Sequence, residues 1–145
     1  MRVLREYPDL LEAQLRAVLK VSQQFRIGIL IPMVATESDV VFVVELFHRL
    51  AAEMGIRELP RIGAMIETPA AALSIPSLKK HVDFLSIGSN DLTQYPMAAG
   101  RENPLVTEYF VVSISILSPS LSVTRPSNMF VSPIKVAINR VFGFK

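Results

Sequence analysis

At 145 residues, half of them apolar, the chain is long enough for one globular domain with a substantial core. It contains no cysteine, which excludes disulfides, thiolate-bound zinc and thiol catalysis. The net charge of +2 is uneven: Met1 to Phe110 carry 11 Lys/Arg against 13 Asp/Glu, whereas Val111 to Lys145 carry 4 basic residues and no acid. Four scattered cations on an acid-free tail do not make a nucleic-acid patch. Arg2, Arg5, Glu6, Asp9 and Glu12 interrupt any secretory h-region, and no run reaches the roughly 18 apolar residues of a membrane span, so a cytoplasmic protein is expected.

In chain order, residues 8 to 25 predict a helix. Pro8 suits its first turn, Asp9 and Glu12 favour its N-terminal end, and Leu11, Leu15, Val18, Leu19 and Phe25 recur at helical spacing. A strand feeding this helix is missing or reduced to Val3 and Leu4. Ile27 to Met33 reads as a buried strand stopped by Pro32. Thr36-Glu-Ser-Asp39 has capping-box spacing, with Asp in place of the usual Glu. Val40, Val43, Val44, Phe47, Leu50, Ala51 and Met54 then form one helical stripe, and Gly55 is placed for the C-cap. Ile62 to Ile66 predicts the next strand, and Thr68-Pro69 opens a helix as N-cap and N1. Pro76 is expected to break that helix, with a short turn at Ser77 to His81 before a third strand, Val82 to Ile87. Gly88 and Ser89 are read as a tight turn, and Asn103-Pro104 as the start of a helix reaching Phe110. This alternation specifies an α/β fold with parallel strands. Beyond Phe110 the chain is serine-rich and is cut by Pro119, Pro126 and Pro133, with a short amphipathic helix expected from Ile134 to Phe144.

Chemistry concentrates between Gly63 and Arg101. Two apolar strands each lead to an acid, Glu67 and Asp91. Packing does not require a carboxylate at the carboxyl end of a strand, whereas ligands bind there in α/β sheets and barrels. The pair reads as metal ligands, with Asn90 and Arg101 available to an anionic substrate. Alternatively, Glu67 caps the following helix and Asp91 merely begins a turn. Thr68 reads as a cap, Gln94 and Tyr95 as packing groups or contacts, and His48 and His81 as structural.

The phrases Met65-Ile-Glu67-Thr-Pro-Ala-Ala-Ala and Asp83-Phe-Leu-Ser-Ile-Gly-Ser-Asn90-Asp91-Leu-Thr-Gln-Tyr resemble signatures of the phosphoenolpyruvate (PEP)-utilising enzymes. Glu12-Ala-Gln-Leu-Arg-Ala-Val-Leu and Ile31-Pro-Met-Val are similar to the family's upstream helix and strand. The resemblance covers about Arg2 to Phe110, and its wording is nearest to enzyme I of the bacterial phosphotransferase system, ahead of pyruvate phosphate dikinase and PEP synthase. It implies a (β/α)8 TIM-type barrel, here partial, with three to four β/α units in residues 1–110 and an unrelated, poorly ordered tail in 111–145. It also implies a Mg²⁺-dependent transferase moving phosphoryl from PEP to a protein histidine, a phosphocarrier partner in sugar transport, and homodimerisation. Under that resemblance Glu67 and Asp91 hold Mg²⁺, while Asn90, Asp91 and Arg101 bind PEP.

Departures from the family bound this expectation. The chain has no cysteine to serve as the acid that protonates the enolate, and the acceptor histidine belongs to a separate domain. The family's phosphate-gripping arginine from the loop just before Arg2, and a further one from the first barrel strand, have no counterpart here. Arg2 matches a second arginine of that loop region, and Gly100 stands where an acid usually precedes the arginine. No catalytic residue is therefore assigned. The expected protein is a fragment, inactive alone, joined to its tail by a frameshift or interrupted gene near Phe110. Translating the flanking DNA in the other frames should reveal the remaining barrel strands and a Met-Cys-Gly-Glu-like phrase; their absence sinks the frameshift.

Overall fold

Apolar stripes at helical spacing and short β-branched runs bury their surface together when helices pack on a face of a sheet. The computed structural model describes residues 2–100, 103–106 and 135–137, and it has this arrangement. Its elements are α1 (Arg2–Glu6), α2 (Pro8–Ser22), β1 (Gly28–Ile31), α3 (Glu37–Glu53), β2 (Arg61–Ile66), α4 (Pro69–Leu73), α5 (Ile75–Leu78), β3 (Phe84–Ile87), α6 (Ser89–Gln94), a 3₁₀ turn at Pro104–Val106, and β4 (Lys135–Ala137). The sheet order is β3-β2-β1-β4. β1, β2 and β3 are parallel neighbours, while β4 runs antiparallel along the other edge of β1.

Register decides which side chains share a face. Ile29 pairs with Ile62 and Ile31 with Ala64; these residues and Ile66 join one core cluster with Leu11, Leu15, Val18 and Leu19 of α2 and Val40, Val43, Phe47 and Leu50 of α3. The alternate residues, Gly28, Leu30, Gly63, Met65 and Phe84, belong to the opposite face. There the Phe84 ring occupies space beside Gly63: a Cβ on that glycine would stand 2.4 Å from the ring. The Arg61 guanidinium lies over the same ring, 5.7 Å from its centroid.

The ends of α3 follow from local chemistry. The Asp39 carboxylate accepts from the Thr36 N–H at 3.0 Å and the Ala35 N–H at 3.1 Å, which satisfies donors that an N-terminus leaves orphaned. At the other end Gly55 has φ +68°, with Gly55 N–H donating to the Ala52 carbonyl and Ile56 N–H to that of Ala51. That pair of bonds is a Schellman motif. Arg16 ties α2 to α3 by donating to both Glu12 and Glu53, and these bonds raise its pKa above the usual guanidinium value.

Several expectations need correcting. Val3 and Leu4 belong to a helix, not to a reduced strand, and Leu4 buries itself in the core cluster. The helix expected through Phe25 ends at Ser22, and Phe25 is exposed. Its spacing continued the stripe, but residues 23–25 already form a turn. The expected break at Pro76 falls at Ser74, because Pro76 lies in the first turn of α5, where its missing N–H costs nothing. Ser89 opens α6 rather than completing a tight turn. Asn103-Pro104 leads only into the 3₁₀ turn, and residues 107–110 lie outside the described residues. Lys135–Ala137 is strand, not helix, because the outer edge of β1 offers unpaired backbone groups. The rest of the expected helix, the boundary at Phe110 and the expected disorder of the tail also fall outside the described residues.

Two substitutions test this packing. Phe47→Ala removes a ring that is 1% exposed and should cost about 3–5 kcal/mol in urea unfolding. Gly63→Ala should cost about 1–3 kcal/mol by overpacking, and Phe84→Ala should remove most of that penalty. An undiminished penalty in the double variant would place the ring elsewhere.

Candidate functional site

The carboxyl ends of the three parallel strands lie side by side, and Glu67 follows β2 at this end. Its side chain is 1% exposed, among a core otherwise almost wholly apolar. A carboxylate so buried is tolerable only with partners. Met33, just past β1, donates its N–H to Glu67 Oε1 at 2.6 Å. Met33 has φ +51°, a left-handed conformation that a side chain disfavours, so strain sits at the residue that binds the acid.

Thr68 reinforces the same junction. As N-cap of α4 its hydroxyl accepts from the Ala71 N–H at 3.1 Å, and it donates to the Val34 carbonyl at 2.7 Å. Two successive residues, Glu67 and Thr68, thus fasten the loop after β1 to the end of β2. Asp39 fastens the far side of that loop through Ala35 and Thr36. The expected role of Thr68 as a cap agrees with this geometry.

From β3 the approach is made by Gly88. Its N–H donates to the Ile66 carbonyl at 2.9 Å, extending the β2–β3 ladder by one step. A Cβ there would meet Glu67 Cβ at 2.5 Å and Oε2 at 2.8 Å. α6 starts at the next residue, and Leu92 N–H closes its first turn on the Gly88 carbonyl at 3.0 Å. Asn90 is exposed and Asp91 half-buried in that turn. The structure therefore brings the Asn90–Asp91 turn to the strand end adjoining Glu67. Arg101 lies outside the described residues.

The bystanders fit structural roles. His48 is exposed and sets its ring edge-on to Phe47, with centroids 5.4 Å apart. His81 Nε2 lies 2.6 Å from Glu37 Oε1. Gln94 is half-buried at the end of α6, and Tyr95 is exposed. Among the described residues no three or more His, Asp or Glu side chains cluster as a metal cage. A site of two carboxylates is compatible with a hard cation that keeps positions for water and substrate oxygens, and not with a closed all-protein cage. Sequence reasoning missed Gly88 and Met33 as parts of the site. A glycine between a strand and Asn-Asp was a usable signal for the first; nothing in Pro32-Met33-Val34 marks a left-handed methionine.

The family model described as the PEP-binding domain of PEP-utilising enzymes matches residues 1–124. A multiphosphoryl transfer protein of Xanthomonas campestris is 46% identical over 104 residues, covering 71% of this chain and 12% of that protein. The phosphoenolpyruvate-protein phosphotransferase of Mycoplasma pneumoniae is 40% identical over 107 residues, 74% of this chain and 19% of the relative. The protein of the same name from Buchnera aphidicola (subsp. Schizaphis graminum) is 37% identical over 126 residues, with 83% and 21% covered. The chain thus spans only about an eighth to a fifth of the length of these relatives.

Strain at Met33 is directly testable. Met33→Gly should leave the N–H bond to Glu67 in place while removing the left-handed penalty of about 1–2 kcal/mol. Thermal unfolding should show a protein at least as stable as the parent after allowance for glycine's added chain entropy. A large loss would mean that the Met33 side chain, not its backbone, secures the junction.

Proposed function

The chain belongs to the PEP-utilising enzymes through their PEP-binding domain, and from that premise we propose that it is the metal-binding portion of a PEP–protein phosphotransferase. Such an enzyme moves phosphoryl from PEP to a protein histidine and leaves pyruvate. The observation that carries the reading is a buried carboxylate, Glu67, at the end of β2, packed against the glycine that leads into Asn90-Asp91.

In this reading Glu67 and Asp91 hold Mg²⁺, which when bound offsets the negative charge of the carboxylate and phosphate of PEP. The residues of this chain do the rest by position. The Met33 N–H holds and aims the Glu67 carboxyl group. The exposed Asn90 amide donates to phosphate oxygens, and Arg101 grips them through its guanidinium fork. No residue here is assigned to protonate the enolate or to accept the phosphoryl group, so the chain alone should not turn over PEP.

The three parallel strands, neighbours in chain order, support residues 1–110 as part of a (β/α)8 barrel. Residues 111–145 are then a separate tail, with β4 laid on the β1 edge. No helix among the described residues is long and apolar enough to cross a membrane, which suits a cytoplasmic enzyme. A phosphocarrier partner and homodimerisation follow from the same reading for the complete protein. The second reading is a non-catalytic product that binds PEP and Mg²⁺ weakly or not at all, and a pyruvate phosphate dikinase or PEP synthase parent is the family alternative.

Titration calorimetry separates these readings. The full chain should bind PEP only when Mg²⁺ is present, and Glu67→Ala/Asp91→Ala should abolish the heat. An equal heat from the double variant would remove these acids from the site, and no heat from the parent chain would favour the non-catalytic reading.

A further inference from the structure

Beyond Ile66 and Ile87, the last pair of the β2–β3 ladder, the next residues in parallel register are Glu67 and Gly88. Gly88 N–H still donates to the Ile66 carbonyl, so the two backbones remain bonded at this step. Directly opposed side chains on one face of a sheet ordinarily keep their Cβ atoms about 4.5–5.5 Å apart. A Cβ at position 88 would be 2.5 Å from that of Glu67. The strand ends therefore converge here more closely than two side chains allow. Gly88 has φ −86°, a conformation open to any residue, so glycine is needed for space and not for backbone freedom.

We propose that Gly88 is a positioning residue: by carrying no side chain it lets Glu67 lie across the end of β3 and so sets how closely Asn90 and Asp91 approach that carboxylate. The inference rests on the reading of Glu67 and Asp91 as a pair acting on one cation. Any side chain at 88 must either spread the strand ends or push the Glu67 carboxylate, whose Oε2 is 2.8 Å from the added carbon. The first displacement carries α6 with it, because Leu92 N–H closes the first turn on the Gly88 carbonyl. The second weakens the bond from Met33 N–H to Oε1. Both loosen the acidic pair through one added methyl group, with neither carboxylate altered.

The experiment uses the full chain with Gly88→Ala, Glu67→Gly and both together. Amide exchange at Met33 reports the Glu67 bond, urea unfolding reports stability, and Mn²⁺ titration by electron paramagnetic resonance reports the cation site. Gly88→Ala should speed Met33 exchange at least tenfold and weaken Mn²⁺ binding at least tenfold. In the Glu67→Gly background, where the opposing Cβ is gone, the same substitution should cost little stability. A stability loss with unchanged Met33 exchange, or an equal loss in both backgrounds, overturns the proposal; so does failure of both Gly88→Ala and the double variant to fold. If exchange and rescue behave as expected but the parent chain binds no Mn²⁺, Gly88 still positions Glu67, and it is the metal reading that fails.

Discussion

A carboxylate hidden from water must be compensated by its neighbours, and at Glu67 that requirement organises the end of the sheet. The Met33 N–H reaches it from the loop after β1, and Gly88 makes room for it from β3. The same residue that is unfavourable to bury thereby couples three strand ends into one platform. Removing Met33's donation would leave the buried acid with one fewer bond in a medium where each is worth more than in water. A core residue at this position would have joined the strands less specifically, since apolar contacts are non-directional.

Beneath that platform the energetics are conventional. α2 and α3 bury their stripes against one face of the sheet, and the parallel strands need helical crossovers to connect at all. Phe47 and the leucines around it supply the stabilisation, at about 1.5–3 kcal/mol per fully buried side chain relative to exposure. The surface pairs Arg16–Glu53 and His81–Glu37 add orientation and little free energy. On the other face, Phe84 against Gly63 replaces side-chain packing with ring-on-backbone contact. Glycine does related work at two heights of β2–β3: at Gly63 it admits a ring, and at Gly88 a carboxylate.

Edges set a second constraint. Parallel pairing of β1 with β2 leaves the far side of β1 with unpaired donors and acceptors, which invite another strand. Lys135–Ala137 takes that place in antiparallel orientation. A three-residue strand has no periodicity to read, and Ile134 to Phe144 shows apolar spacing compatible with a helix. Edge pairing decided between them.

How much was legible follows from the range of each interaction. Capping at Thr36–Asp39, the stop at Gly55 and the start at Thr68-Pro69 depend on neighbours within five residues, so sequence determined them, along with the alternation that makes the sheet parallel. The phrases around Glu67 and Asn90-Asp91 likewise pointed to the acids, because a polar residue at a strand end is visible as a break in an apolar run. What tertiary structure alone decided is the environment of those acids: the left-handed Met33 that binds Glu67 across 34 positions, the contact with Gly88, and the first turn of α6 that carries Asn90 and Asp91. These depend on how closely strand ends converge, a distance set by packing of the whole sheet. No local pattern of residues encodes it.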